Sequence, residues 1–183
     1  MQYSIIFIDS EGSPTQELSA LEMDYETREI VDAFHGYAFT TEADFFARHH
    51  IHGLSPNFLK KAGYESPSKL IEVFHSWLRT KRYVFLYGND PGREVNELQL
   101  YISDIGLDKW TIRSHKAYHE VAYYFKKHNI PICSTSCCAE AHSMYHSAIV
   151  RPFNLSDAAR ERHGHHCSLY DCYEMYLFYI AIP

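Results

Sequence analysis

The 183-residue chain lacks any excess of basic residues: 17 lysines and arginines stand against 23 aspartates and glutamates, a formal net charge of −6. A module that binds a polyanion nonspecifically usually carries the opposite sign, so a passive nucleic-acid binder is disfavoured. A metal-using enzyme is not excluded, because carboxylates gathered for cations lower the formal charge and are neutralised by the ions they hold. Long apolar runs are also missing. Residues 5–8 are too few for the apolar stretch of a secretory signal and run straight into acids, while the apolar tail 175–183 is too short to span a bilayer and rich in tyrosine. Cysteine is odd in number, with five at positions 133, 137, 138, 167 and 172. Without a secretion signal, that count points to a reduced, intracellular protein, cytoplasmic or nuclear, and away from a disulfide framework. Repeats, low-complexity tracts and interdomain linkers are absent too, which leaves residues 1–183 as a single domain around one core.

What is present is an ordinary globular composition, 46% hydrophobic and 22% charged. Aromatics make up 15% of the chain, with 15 tyrosines and 11 phenylalanines. Such side chains can stack on bases, but a core built from aromatics is the simpler reading. Periodicity predicts three consecutive antiparallel strands over residues 3–8, 17–24 and 30–40, separated by turn signals at residues 12–14 and 25–28. The pattern then becomes helical. Thr41 is a plausible N-cap with Asp44 three residues on. Ser55-Pro56 opens a short helix ending at Gly63, and Ser66-Pro67 opens another that carries Leu70, Ile71, Phe74, Trp77 and Leu78 on one face. A strand over 83–87, a helix over 93–102, a strand over 110–112 and helices over 118–128, 138–147 and 167–180 complete the prediction. The basic, irregular stretch 148–164 is a candidate active-site loop. This order predicts an α/β domain with a mixed five-stranded sheet, its first three strands antiparallel, flanked by helices.

Three signals carry chemistry. Asp9-Ser10-Glu11 follows an apolar strand, and strand alternation puts both carboxylates on one sheet face, within reach of one metal. His166-Cys-Ser-Leu-Tyr-Asp171 leads into the last helix. Its spacing lets Asp171 ligate a metal from the first helical turns while His166, on the preceding loop, takes a proton from an attacking water. Tyr87-Gly-Asn-Asp90 ends a central strand, where an acid faces the cleft. The same residues would also make a plain turn, and Glu94, one helical turn on, is the alternative carboxylate. A fourth pattern joins Glu17, Cys138, His142 and Cys167, a donor set suited to tetrahedral Zn²⁺, with Cys137 and His146 as substitutes. The remaining histidines, His49, His50 and His75 among them, read as ordinary surface or core residues.

The order of the three acidic motifs resembles that of the DEDDh 3′→5′ exonucleases, whose fold is ribonuclease-H-like. The stretch from His52-Gly53-Leu54-Ser55 through Ala62-Gly63, followed by Leu70 to Leu78, is similar to the helical segment between that family's first and second motifs. Asp9-Ser-Glu11-Gly with Glu17, and His166-Cys167-Ser-Leu-Tyr-Asp171-Cys172, further resemble the members that carry a Glu-Cys-His-Cys zinc site, the Maelstrom domain and the arenavirus nucleoprotein exonuclease domain. One departure is the spacing of Cys138 and His142, three intervening residues where those families have two.

The resemblance implies two Mg²⁺ or Mn²⁺ ions, with Asp9, Glu11 and Asp171 on the first and Asp9 also on the second. It implies Asp90 acting through ordered water, His166 as general base and one structural Zn²⁺. It further implies a nucleic-acid substrate, single- or double-stranded RNA ahead of DNA, and partner proteins in RNA silencing or decay. A noncatalytic RNA-binding or interaction domain on the same fold is the competing expectation, and a hydrolase using the Cys/His zinc itself is a third.

Overall fold

The computed structural model describes residues 4–12, 15–41, 52–81, 84–88, 96, 114–116, 146–153, 155 and 167–181. Within them, β1 (Ser4–Glu11), β2 (Glu17–Asp24), β3 (Ile30–Tyr37), β4 (Val84–Gly88) and β5 (Ser114–Lys116) form one sheet in the order β3-β2-β1-β4-β5. The β1–β2 and β2–β3 pairs are antiparallel, and the β1–β4 and β4–β5 pairs are parallel. Helices α1 (Pro56–Ala62), α2 (Pro67–Leu78) and α3 (Ser168–Ala181) accompany it. The mixed five-stranded sheet with three leading antiparallel strands is the architecture the sequence predicts.

Alternation along β1 sorts its side chains onto two faces, each with its own core. Ile5 and Phe7 join Leu21 and Met23 of β2 beneath α3, against Leu169, Tyr170, Tyr173 and Met175. Ile6 and Ile8 join Leu18 and Ala20 on the opposite face, against Leu70, Ile71, Phe74 and Leu78 of α2. Each large apolar side chain buried this way contributes about 1.5–3 kcal/mol. The aromatics serve the core as expected: the ring of Phe7 meets those of Tyr87, Tyr176 and Tyr179 edge-on, with centroids 5.5, 5.9 and 5.7 Å away.

Local chemistry sets the helix starts. Ser55 accepts from the amide of Phe58 and Ser66 from that of Lys69, each at 3.2 Å, with Pro56 and Pro67 opening the first turns. The β2–β3 turn closes on Asp24, whose Oδ1 accepts from the amides of Glu26 and Thr27 at 2.9 and 2.8 Å. Helix α2 lies close over Gly36 of β3, where an added Cβ would meet Leu70 Cδ1 at 2.7 Å. At its far end, Lys81 reaches back to the sheet. Its ammonium lies 2.8 Å from Glu22 Oε2, contacts Asp32, and sits 4.3 Å from the centroid of the Trp77 ring.

Some boundaries differ from the sequence prediction. β1 runs on to Glu11, because the ladder continues through Glu11↔Glu17, so both Asp9 and Glu11 lie inside the strand. β3 stops at Tyr37 rather than residue 40. There the backbone changes partners, with Ala38 N donating to Gln16 O and Phe39 N to Tyr64 O, both at 2.8 Å. The fifth strand is described at Ser114–Lys116, beyond the predicted 110–112. Part of the stretch predicted as irregular is a π-helical turn, His146–Val150, whose Ile149 and Val150 are fully buried in the α3-side core. Two apolar residues in an otherwise polar stretch are enough to dock it. The helix predicted after Thr41, nearly all of that predicted at 93–102, that at 118–128 and most of 138–147, the strand at 110–112, and most of 154–164 lie outside the described residues.

Candidate active site

Strand pairing places a polar patch at one end of the sheet, on the α3 side. Asp9 pairs with Ser19 and Ser19 with His35, making one rung across three strands. The next rung is Glu11, Glu17 and Tyr37. Paired residues share a face, so Asp9, Glu11, Glu17, Ser19 and His35 all point to the side that α3 covers.

Helix α3 then delivers Asp171. Its first turn is fastened by the Asp171 amide donating to the carbonyl of Cys167 at 3.0 Å. An acid in the first turn also complements the helix dipole. Asp9, Glu11 and Asp171 each offer a carboxylate oxygen, and these oxygens all lie within 4.8 Å of one another. Asp9 is buried, and Glu11 and Asp171 are half-buried. Carboxylates at this separation repel by about 3 kcal/mol per pair at an effective dielectric near 20, so the arrangement favours a cation between them. An all-oxygen donor set of this kind suits hard divalent ions such as Mg²⁺ or Mn²⁺.

The sequence-predicted residues therefore divide. Asp9, Glu11 and Asp171 are brought together. Glu17 and Cys167 are also brought together: the Cys167 thiol donates toward Glu17 Oε1 at 3.9 Å, and both residues are buried. A carboxylate beside a thiol is half of a zinc donor set, so these two fit a Zn²⁺ ion. Asp90 and its alternative Glu94, His166, and Cys137, Cys138 and His142 lie outside the described residues, as does the side chain of His146.

Sequence reasoning passed over three residues that the structure places here. Ser19 Oγ lies 2.6 Å from His35 Nδ1 and 2.6 Å from Ser168 Oγ. His35 Nε2 in turn faces Glu17 Oε1 at 3.9 Å, with the His35 side chain 1% exposed. Cys172 adds a fourth link, its thiol donating to the Ser19 carbonyl at 3.4 Å. The available signal was the period of two in β2, which puts Ser19 on the face of Glu17, but the β2–β3 register that brings in His35 is not written in either strand alone.

No helix among the described residues is long and apolar enough to cross a membrane. No protein-family model matches the chain, and no curated protein matches it. Solved structures do. A zinc-bound complex of Escherichia coli exonuclease I with single-stranded DNA superposes with a TM-score of 0.63 at 14% identity, over 98% of this chain and 40% of that one. The chain thus spans about two fifths of the length of exonuclease I. The nuclease domain of 3'hExo, a DEDDh family member bound to rAMP, gives a TM-score of 0.58 at 14% identity, over 98% of this chain and 90% of that one. A 3′-exonuclease recognising the 3′ end of a histone mRNA stem-loop gives 0.55 at 13% identity, over 98% of this chain and 80% of that one. What the chain shares with these proteins is their fold, a ribonuclease-H-like mixed sheet flanked by helices.

Proposed function

We propose that residues 1–183 form a single metal-dependent 3′→5′ exonuclease domain of the DEDDh type, with RNA favoured over DNA. The observation that carries this reading is the convergence of Asp9, Glu11 and Asp171 from two distant parts of the chain onto one cation-sized space. The shared fold supports it, since the similar structures are exonucleases described with single-stranded DNA, rAMP and an mRNA stem-loop. RNA is favoured on the motif resemblance to the zinc-containing members.

When bound, two Mg²⁺ or Mn²⁺ ions would supply a Lewis-acid clamp on the scissile phosphate and a lowered pKa for water. The chain's part is to hold and orient. Asp9 and Glu11 project from a strand laddered to β2 along its whole length and to β4 as far as Phe7, and Asp171 from a helix turn packed on that sheet, so little reorganisation accompanies ion binding. The parallel register Phe7↔Tyr87 sets the carboxyl end of β4 beside Asp9, and Asp90, the proposed fourth carboxylate, follows from that end. Glu94 is its alternative. His166, immediately before the anchored Cys167, is the proposed general base. One structural Zn²⁺ is assigned to Glu17, Cys138, His142 and Cys167, with Cys137 and His146 as substitutes, where it would pin the loop bearing His166 to β2. Partner proteins of RNA silencing or decay are proposed on the same resemblance.

The test is a degradation assay on 5′-labelled single- and double-stranded RNA and DNA, with Mg²⁺, Mn²⁺ or a chelator. A ladder shortening from the 3′ end, strongest on RNA and abolished by Asp9→Ala or Asp171→Ala, is the expected outcome. A folded preparation inert on every substrate with Mn²⁺ present would overturn the enzyme in favour of a noncatalytic binding domain.

A further inference from the structure

Two neighbouring residues at the start of α3 are each held by the sheet. Cys167 is held by Glu17, and Ser168 by Ser19. His35, on β3, touches both anchors: its Nδ1 lies 2.6 Å from Ser19 Oγ and its Nε2 3.9 Å from Glu17 Oε1. The contacts of these five side chains run from the sheet to the start of α3 and close through the backbone at residues 167–168. All of this is out of water, with Glu17, Ser19 and Ser168 at 0% exposure and Cys167 at 2%. The Asp171 amide donates to the Cys167 carbonyl, so the held turn is the one that carries Asp171.

From this geometry we infer that His35 is a positioning residue: acting through Ser19 and Ser168, it sets the first turn of α3, and with it Asp171, against Asp9 and Glu11. The inference rests on the metal-site reading above, but His35 itself belongs to a strand two removed from β1 and is not one of the three clustered carboxylates. A direction for the hydrogen bonds follows from Glu17. A carboxylate opposite Nε2 favours the tautomer with its proton there. Nδ1 is then an acceptor for the Ser19 hydroxyl, and Ser19 Oγ accepts in turn from the Ser168 hydroxyl. The two 2.6 Å contacts that join His35, Ser19 and Ser168 lie in low-dielectric surroundings, where such chains are strongest and a missing member is costly. A shift of Asp171 by a fraction of an ångström matters, because metal ligands tolerate about 0.2 Å.

The test compares His35→Leu, which keeps bulk but cannot accept, with His35→Asn, whose side-chain oxygen can take the place of Nδ1. Three readouts are followed on the full chain: Mn²⁺ affinity, kcat and KM on an RNA oligonucleotide, and the labelling rate by a thiol reagent of Cys172, whose thiol donates to the Ser19 carbonyl from the same helix, resolved from Cys167 by mass spectrometry. Expected for His35→Leu are a folded protein, Mn²⁺ binding weakened about tenfold or more, a fall in kcat with KM nearly unchanged, and faster Cys172 labelling. His35→Asn should restore most of each, and Ser168→Ala should move them in the same direction. If His35→Leu lowers only the melting temperature and leaves labelling, Mn²⁺ affinity and kcat unchanged, His35 is merely structural and the inference fails. A wild-type chain that neither binds Mn²⁺ nor cleaves sinks the exonuclease reading. Cys172 labelling in that case still reports whether His35 sets the helix start: an accelerated rate upholds the positioning, and an unchanged rate overturns it.

Discussion

The hydroxyl of Ser19, the third residue of β2, lies 2.6 Å from the hydroxyl of Ser168, the first residue of α3 and 149 positions further along the chain. That contact sits on the rung of Asp9 and one helical turn from Asp171. It shows how the site is assembled: the sheet presents two carboxylates, and a buried polar contact seats the helix that brings the third.

The three carboxylates should behave as a function-for-stability compromise. Asp9→Asn is expected to lower the cleavage rate by about a thousandfold while raising the stability of the metal-free protein by about 1 kcal/mol, because it relieves like-charge crowding. Paired activity and thermal-melting measurements check this. A metal-free variant that melts below the wild type would contradict the crowding.

Zinc removal should act on the fold first. Metal analysis is expected to find about one Zn²⁺ per chain, reduced in Cys167→Ser, and chelation at constant Mn²⁺ should lower the melting temperature before any direct effect on chemistry. Loss of activity on chelation with an unchanged melting curve would instead favour a catalytic zinc.

Away from the site, Lys81 clamps α2 to the sheet through Glu22, Asp32 and the Trp77 ring, with its own side chain 7% exposed. Lys81→Ala leaves the largely buried Glu22 without its cation. A loss of about 3 kcal/mol in denaturant unfolding is expected, with activity per folded molecule unchanged.

Gly36→Ala should also destabilise, because its Cβ would press on Leu70 Cδ1 at 2.7 Å. About 1–2 kcal/mol is expected, typical of overpacking, and Leu70→Ala in the same chain should relieve the clash while adding its own cavity cost. A double-mutant cycle separates the two.

Alkaline stability follows from the tyrosines of α3. Burial pushes the phenols of Tyr173, Tyr176 and Tyr179 above the ordinary value of 10.0, with Tyr176 adding to the rise at Tyr173. The folded state thus favours the neutral phenol. Its stabilising contribution is fully present below pH 10 and is lost as the pH rises through the raised values. Tyrosinate absorbance should lag behind that of the unfolded chain and then rise together with loss of circular dichroism. A simple titration near the ordinary value in the folded protein would contradict the burial.

What the sequence determined by itself is local and periodic. Alternation in β1 put Asp9 and Glu11 on one face, and the Ser-Pro pairs opened α1 and α2, because these depend on one residue's neighbours and on fixed repeat lengths. The antiparallel β1–β2–β3 order was legible from short turns, and the predicted mixed sheet is the one observed. Only the tertiary structure decided where those elements meet. It extended β1 through Glu11, ended β3 where its backbone turned to Tyr64, and buried Ile149 and Val150 from a stretch that reads as a polar loop. It also made His35, one of 13 histidines with no distinguishing neighbours in sequence, the bridge between Ser19 and Glu17. The reason is physical. Cross-strand register and helix docking join residues far apart in the chain, and their contacts answer to packing and buried hydrogen bonds that no local pattern encodes.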